Sequence, residues 1–355
     1  MKTARWHGKQ DIRVEMLEVP KPAADEVLIQ VKRCGICGTD LHEYTYGAQT
    51  IWVDEPHPLT GHMGPLVMGH EFSGVIAELG RDVDKRQWKT GDRVCIMPLM
   101  HCGKCKYCKM GLEHLCELFA AIGLQWPYGG LGEYCIVKEY QLVKLPDNVS
   151  FEQGACIEPL CVALYGINRG NMRVGDKLLI TGGGPTACLT LLGAQAAGAS
   201  FIYMTEIHPG RRKRCDEWGA NLVLDPTRVN VSEEINKITD GYGVDMVIEC
   251  TGVQGAISDA FASLRKRGTY VQSGLPISKI SVEVFDWAYR DFNIVGVWCF
   301  NTYDFEAAIA LVSSGRINVE KIVTRVMRVE ETKEAFDILS ADQSGQEVKI
   351  QISFE

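Results

Sequence analysis

The chain has 355 residues, which is more than one hydrophobic core usually serves, so its length predicts two domains. Hydrophobic residues make up 46% and charged residues 23% of it, as in ordinary globular proteins. A formal net charge of −8 argues against nucleic acid or an anionic membrane surface as a partner. No apolar run approaches the roughly 20 residues that span a bilayer, and the first residues lack the apolar segment of a secretory signal. We therefore expect a cytoplasmic protein.

The chain carries 14 cysteines without an export signal, a setting in which thiols stay reduced and clustered cysteines more often bind metal. Most of them stand singly among apolar or small residues, where a buried thiol behaves as a small hydrophobe. These are Cys95, Cys135, Cys156, Cys161, Cys188, Cys215, Cys250 and Cys299. Cys37 and the group between positions 102 and 116 remain as candidates for chemistry.

Residues 1–155 are predicted to form short strands joined by long loops. Apolar and polar residues alternate at 26–33 and 134–138, as in half-buried strands. Between them, Gly and Pro separate short apolar runs such as 74–77 and 92–96. This pattern favours a β-rich domain.

From 156 to 298, short apolar strands alternate with helical stretches. The predicted strands are 177–181, 201–205, 244–249, 269–273 and 294–297, with helices at about 185–197 and 210–218. Such alternation predicts right-handed βαβ crossovers and a doubly wound parallel sheet. Residues 299–355 are expected to return to the first domain. They contain predicted helices at 304–313 and 332–339 and a final strand at 346–353.

Four cysteines have the spacing C-x2-C-x2-C-x7-C, at Cys102, Cys105, Cys108 and Cys116. Four thiolates on one short loop are what a closed tetrahedral zinc site requires, and nearby lysines such as Lys104 partly offset their charge. An iron–sulfur cluster also uses cysteines, but its usual spacing differs. The spacing therefore predicts a structural zinc site, which has no open position for a substrate.

A glycine-rich turn follows the predicted strand at 177–181. It supplies Gly182, Gly184, Pro185 and Ala187 in the pattern G-x-G-x-x-A. The first Gly permits the tight turn, the second lets the backbone approach a pyrophosphate, and the small Ala allows close packing of helix on strand. Because the following helix would direct its N-terminal amides at the phosphates, the turn predicts a dinucleotide site.

Glu206 ends the next predicted strand, 22 residues after Gly184. A carboxylate there accepts hydrogen bonds from the adenosine ribose and repels a 2′-phosphate, so NAD is favoured over NADP. Arg211 and its neighbour Arg212 either reach a phosphate or form a solvated helix start. Two residues at the ends of later strands, Thr251 and Ser273, complete the cofactor-binding candidates.

Three separated segments supply residue types that bind metals. They are CGICGTDLH at 34–42, GHEF at 69–72 and EP at 158–159. Each is weak evidence alone, since a lone histidine is more often structural than a ligand. In this order they resemble the medium-chain zinc alcohol dehydrogenase family, and the likeness covers essentially the whole chain.

The resemblance implies a catalytic zinc ion held by Cys37, His70 and Glu158, with Glu71 as a neighbour that can approach the metal. Three protein ligands leave zinc an open position for water or the substrate oxygen. It also implies a GroES-like fold for the β-rich catalytic domain and a Rossmann fold for the parallel-sheet domain. Two zinc ions per chain are therefore expected, one catalytic and one structural.

Thr39 and His42 match the proton relay of that family. Thr39 would take the proton of the alcohol and pass it through the nicotinamide ribose to His42, which suits release because its unperturbed pKa lies near neutrality. Asp40 would orient the His70 ring. The alternative is that Thr39 is a turn residue and Asp40 a helix cap.

Glutamate at the third ligand position, Glu158, is typical of the polyol and butanediol dehydrogenase branch, which the loop between His42 and His70 also resembles. The resemblance implies an NAD-linked zinc enzyme that interconverts a secondary alcohol or vicinal diol and its ketone, with 2,3-butanediol and acetoin as the best-matching pair. The four-cysteine lobe is a departure, because several butanediol dehydrogenases lack it. The family also implies a homodimer or homotetramer joined through the cofactor domains.

Three alternatives stay open. A polyol (sorbitol-type) or L-threonine dehydrogenase uses the same metal and cofactor chemistry, so motifs do not separate these substrates. A zinc-finger-like binding module is opposed by the acidic charge and by the lack of basic and aromatic patches. A quinone-reductase-like relative typically lacks catalytic zinc, so the retained Cys37, His70 and Glu158 oppose it.

Overall fold

The computed structural model describes residues 1–342 and 344–355. Its first part is β-rich. Strands β1 to β10 are Lys2–Gly8, Asp11–Met16, Glu26–Gly35, Leu66–Val67, Glu71–Leu79, Arg93–Ile96, Leu99–Met100, Ala120–Ala121, Tyr134–Lys138 and Leu142–Lys144. Helices α1 to α4 are Gly38–Tyr46, Lys106–Lys109, Phe151–Gly154 and Ile157–Arg169.

The second part alternates strands and helices. Strands β11 to β16 are Lys177–Thr181, Phe201–Thr205, Leu222–Leu224, Val244–Glu249, Leu264–Gln272 and Asn293–Gly296. Helices α5 to α9 are Pro185–Ala197, Pro209–Glu217, Val231–Ile238, Gln254–Ser263 and Val284–Tyr289. The last elements are α10 (Thr302–Ser313), β17 (Val323–Arg328), α11 (Thr332–Ala341) and β18 (Lys349–Ser353).

The first part is built around β3, which pairs antiparallel with β5, β9 and β18. The sheet runs β10-β6-β5-β3-β18-β17, with β9 on β3, and β1 pairs with β2 and β4 in a smaller sheet. Val27, Ile29 and Val31 of β3 are fully buried. The C-terminal strand thus returns to the first sheet and pairs with β3.

The second sheet is wholly parallel, in the order β13-β12-β11-β14-β15-β16. Its strands cross over between β11 and β14, which is the switch point where doubly wound sheets bind ligands. Apolar side chains of α4, α5 and α10 cover one face, and those of α7 and α8 cover the other. The predicted Rossmann architecture is therefore confirmed.

Helix α10 lies differently from the expectation that residues after 298 return to the first domain. Phe305 and Ala308 of α10 are buried in the same cluster as Leu178 and Ile180 of β11. The helix packs on α4, and this contact helps to cover its apolar face. The chain joins the first sheet at β17, after α10. Among the described residues, no helix combines the length and hydropathy needed to cross a membrane.

Candidate active site and metal centres

The four cysteines of the predicted structural site lie together in the loop between β7 and β8. Cys105 Sγ lies 3.4 Å from Cys108 Sγ and 4.0 Å from Cys116 Sγ. Cys102 Sγ lies 4.0 Å from Cys108 Sγ. All four sulfurs are within 4.8 Å of one another, and all four cysteines are free thiols.

Backbone amides point at these sulfurs. The amide of Cys105 donates to Cys102 Sγ (3.4 Å), and the amides of Cys102 and Leu118 donate to Cys116 Sγ (3.2 and 3.3 Å). The amides of Lys104 and Cys105 lower the pKa of Cys102, which favours the thiolate that a metal requires. Four thiolates fit a tetrahedral zinc ion and leave no position for substrate.

A second group of metal-ligand atoms lies where the first sheet meets α4. Cys37 caps α1, His70 precedes β5 and Glu71 begins it, and their ligand atoms lie within 4.8 Å of one another. Glu158, in the first turn of α4, lines the same cavity and is 8% exposed. The structure brings all four predicted residues to one cavity and places Glu71, not Glu158, in the compact group.

The His70 ring is set by Asp40. His70 Nδ1 lies 3.5 Å from Asp40 Oδ1, and neither atom has a hydrogen-bond partner in the described structure. Asp40 Oδ2 accepts the amide of Cys37 at 2.9 Å. Burial acts to lower the pKa of His70, but the charges of Asp40 and Cys37 outweigh it and raise the pKa. Asp40 therefore lies beside the Nδ1 edge of the ring, which leaves Nε2 as the nitrogen available to a metal.

The donor set fits a divalent cation. Burial raises the pKa of Glu158 to about 7, and the Glu71 carboxylate adds to that rise. A nearby positive charge would favour the ionised carboxylate, as in metal sites. Sulfur, imidazole and carboxylate ligands with one position left open are the set that catalytic zinc uses.

Lys349 is a site residue that the sequence analysis missed. Its Nζ lies 2.7 Å from both carboxylate oxygens of Glu71 and donates to the carbonyl of Ile36 at 3.0 Å. Lys349 and Glu71 are each 1% exposed. Burial acts to lower the pKa of Lys349, but Glu71 raises it above the ordinary value, so the lysine stays charged. In the sequence, the only indication of this role was a lysine among the apolar residues of the last strand.

The two residues assigned to a proton relay, Thr39 and His42, lie on α1 and line the same cavity. Thr39 Oγ1 is 3.8 Å from Cys37 Sγ. The ring of His42 lies 5.9 Å from that of Tyr46. The first turn of α1 therefore presents a hydroxyl beside the candidate metal ligand and an imidazole one turn further along.

The predicted dinucleotide turn joins β11 to α5. Gly182 has φ +91°, and a Cβ there would lie 2.9 Å from Thr251 Cγ2. Gly184 caps α5 and Pro185 is its first residue, a position that proline suits because its missing amide hydrogen is not needed there. A Cβ at Gly184 would meet nothing within 4 Å. Gly184, Pro185 and Ala187 line the cavity, so the helix N-terminus opens toward it.

Glu206 and the two arginines lie beyond this turn. Glu206 Oε1 accepts the amide of His208 at 2.7 Å, and the residue is buried. Arg212 pairs with Asp225 at 3.0 Å. Arg211 donates to the carbonyl of Glu347 at 3.4 Å. Within the described residues, Glu206 and Arg211 do not line the main cavity, whereas Thr251 and Ser273 do.

A buried carboxylate holds the two cofactor candidates Thr251 and Ser273. Glu249 is fully buried at the end of β14. Its side chain accepts the amide of Thr251 (2.7 Å) and Nε2 of Gln272 (2.6 Å), and its carbonyl accepts the amide of Ser273 (2.9 Å). The sequence analysis missed this role of Glu249, although a glutamate at the end of an apolar strand could have indicated it.

The metal-ligand group and the dinucleotide turn face one cavity of about 870 Å³. Polar residues of the first domain and the turn of the second both line it. Much of the remaining wall is apolar, with Ile51, Leu99, Phe119, Leu124, Val162 and Trp298. This arrangement can hold a metal, a nicotinamide and a small substrate in contact.

Comparison with known proteins agrees with this geometry. Residues 23–147 match the family "Alcohol dehydrogenase GroES-like domain", and residues 185–314 match "Zinc-binding dehydrogenase". The chain is 38% identical to (R,R)-butanediol dehydrogenase of Bacillus subtilis over 99% of both chains. It is 34% identical to human sorbitol dehydrogenase, over 93% of this chain and 90% of that one.

Solved structures give the same assignment. The crystal structure of 2R,3R-butanediol dehydrogenase from Bacillus subtilis has a TM-score of 0.93 and 37% identity, covering 100% of this chain and 99% of that one. A putative zinc-binding dehydrogenase from Sinorhizobium meliloti bound to NADP has a TM-score of 0.87 and 29% identity, covering 99% and 98%. The chain therefore belongs to the zinc-binding, medium-chain alcohol dehydrogenase family.

Proposed function

We propose that this dehydrogenase interconverts a short vicinal diol, 2,3-butanediol, and its hydroxyketone, acetoin, with NAD. The observation that carries the proposal is the apolar wall of the cavity between the ligand group and the dinucleotide turn. Such a wall suits the methyl groups of a four-carbon diol. The similarity to (R,R)-butanediol dehydrogenase supports the same substrate.

In this proposal Cys37, His70 and Glu158 hold the catalytic zinc, which supplies Lewis acidity to the substrate oxygen. Lys349 keeps the Glu71 carboxylate paired beside these ligands. Thr39 receives the proton of the hydroxyl, and His42 carries it toward the surface. The structural zinc belongs to Cys102, Cys105, Cys108 and Cys116.

We assign the cofactor as NAD, bound with its pyrophosphate at Gly182, Gly184, Pro185 and Ala187. Glu206 directly follows β12, the position at which a carboxylate holds the adenosine ribose in Rossmann folds. Arg212, which could otherwise meet a 2′-phosphate, is paired with Asp225.

The enzyme is also proposed to be a homodimer or homotetramer joined through its cofactor domains. Strand β16 is an edge of the parallel sheet. The unpaired backbone groups of an exposed edge strand can pair with a strand of another chain. Exposed apolar residues lie on and beside it, namely Leu275, Ile277, Val284, Phe285, Tyr289 and Ile294.

Initial rates on a substrate panel test the proposed function. The panel contains the butanediol stereoisomers, acetoin, sorbitol and L-threonine, each with NAD or NADP and their reduced forms as the direction requires. We expect the highest kcat/KM for one butanediol stereoisomer with NAD. Faster oxidation of sorbitol, which two relatives at 34% identity are named for, would favour a polyol dehydrogenase instead.

A further inference from the structure

Two segments of the first domain form adjoining walls of the cavity. The first is the substrate loop, residues 47–60, between α1 and β4. The second is the lobe exit, residues 119–125, which follows the last cysteine of the four-cysteine lobe. Both contribute cavity-lining side chains, among them Trp52, His57 and Phe119.

Gln125 joins the two walls by hydrogen bonds. Its Nε2 donates to the carbonyl of Thr50 at 2.9 Å, and its own carbonyl accepts the hydroxyl of Thr60 at 2.6 Å. Its Oε1 accepts the amide of Ala121 at 2.8 Å. Because Gln125 is 7% exposed, water competes little for these bonds.

His57 makes the second link. The side chain is 4% exposed, and its Nδ1 accepts the amides of Leu59 (3.2 Å) and Thr60 (3.4 Å). Because Nδ1 accepts two amides, the ring proton belongs on Nε2, and the ring also interacts with the backbone of Phe119. The rings of His57 and Trp52 form a T-shaped contact, with their centroids 5.0 Å apart.

The lobe exit is in turn attached to the cysteine sulfurs. Cys116 Sγ accepts the amide of Leu118 at 3.3 Å, and the carbonyl of Cys116 accepts the amide of Phe119 at 3.0 Å. The Phe119 ring meets Trp298 edge-on, with centroids 5.7 Å apart. Interactions thus connect the sulfurs through Phe119 to His57, beside the hydrogen bonds by which Gln125 joins the lobe exit to the substrate loop.

We propose that His57 is a positioning residue that fastens the substrate loop to the lobe exit, so that the metal-bound state of the four-cysteine lobe sets the shape of the substrate cavity. The four-cysteine site then does more than stabilise the fold: it holds the Phe119 wall in place. This inference rests on the proposed function only in its choice of substrate.

The test uses variants of His57 that keep a polar group near either the Nδ1 or the Nε2 position. His57→Asn keeps an acceptor near the Nδ1 position and removes the group that reaches Phe119. We expect its KM for the diol to rise about ten-fold, while kcat and the NADH dissociation constant change less than about two-fold. His57→Gln places an amide near the Nε2 position and should recover most of the lost KM. His62→Asn is the matched control, because His62 lies just beyond the same loop but does not line the cavity.

Cys105→Ser tests the link to the lobe. It should raise KM in the same direction, and the double variant with His57→Asn should add little to the larger single effect, since both break one chain of contacts. Amide hydrogen exchange, measured without substrate, should quicken about ten-fold or more at 119–125 in both single variants. If Cys105→Ser does not fold, exchange in His57→Asn decides alone.

Unchanged KM and unchanged exchange in His57→Asn would overturn the inference, as would fully multiplicative KM effects in the double variant. Failure of the proposed function looks different. In that case wild-type enzyme turns over none of the panel alcohols, while exchange at 119–125 still reports whether His57 holds the lobe exit.

Discussion

Cys37 and Cys105 belong to the two different groups of candidate metal ligands. Replacing each in turn should distinguish an effect on the reaction rate from an effect on stability. Cys37→Ser should lower kcat by about 10³-fold or more, because the substrate-side metal loses a ligand, while the unfolding midpoint changes little. Cys105→Ser should lower the unfolding midpoint, because a structural zinc site contributes folding energy. Zinc analysis should find about two ions per chain in wild type and fewer in each variant. A Cys37→Ser enzyme with normal kcat would refute the metal assignment.

Lys349 and Glu71 form a fully buried ion pair, so removing one partner should be expensive. Lys349→Met leaves the Glu71 carboxylate uncompensated and should reduce the free energy of unfolding by about 3–5 kcal/mol. The double variant with Glu71→Gln should regain part of that loss, since no buried charge is left alone. Urea unfolding of both proteins, saturated with zinc, measures the difference. Equal destabilisation of both would mean that packing, not charge, dominates.

His57 gives a pH dependence with a defined sign. Burial lowers its pKa below the ordinary 6.5, so the folded protein holds fewer protons there than the unfolded chain. Its stabilisation is complete above the unfolded pKa and is lost as pH falls through the folded pKa. Between about pH 7.5 and about pH 5.5, wild type should therefore lose more unfolding free energy than His57→Gln does. Parallel losses in urea titrations of the two proteins would contradict this.

Residues that act through local sequence were predictable, and those that act across the chain were not. The cysteine lobe and the turn at Gly182 depend on spacing within a few residues. The Lys349–Glu71 pair joins positions 278 residues apart, and the Phe119–His57 link depends on how two loops fold back. Such contacts are set by tertiary packing, which one sequence does not display.

At the scale of elements, the strand-turn-helix from β11 to α5 offers a matched pair of glycines. Gly182→Ala forces a side chain into a backbone with φ +91° and against Thr251, which should cost about 1–3 kcal/mol of stability. Gly184 has φ −77° and open space around it, so Gly184→Ala should leave stability nearly unchanged. It should instead weaken NADH binding, because the methyl group stands where the pyrophosphate approaches. Thermal unfolding and NADH fluorescence titration distinguish the two effects.

Elements with a clear period were also the ones that the sequence predicted. The alternation after residue 177 gave β11, β12, β14 and α5 to within a few residues. Strands β1 and β2 were not predicted. Helix α10 was predicted as an element, but its amphipathic pattern could not say which core its apolar face would join.

For the whole molecule, the two sheets contribute different chemistry to one cavity. Segments next to the first sheet supply the candidate metal ligands Cys37 and His70, and α4 adds Glu158. The switch point of the second sheet supplies the dinucleotide turn. The C-terminal strand crosses back to pair with β3 and to place Lys349 beside Glu71, so the first sheet is complete only when the last strand has joined it. Candidate metal ligands that are far apart in sequence therefore depend on the global fold to come together.

The assembly proposed through β16 is tested on the whole molecule with one exposed residue at each edge of the parallel sheet. Ile294 lies on β16 and is 40% exposed, and Val229 follows β13 at the opposite edge and is 38% exposed. Ile294→Lys should dissociate the oligomer, because a charged edge strand opposes pairing with a second sheet. Val229→Lys should leave it intact. Sedimentation velocity over a concentration series measures both, and an unchanged oligomer in Ile294→Lys would place the interface elsewhere.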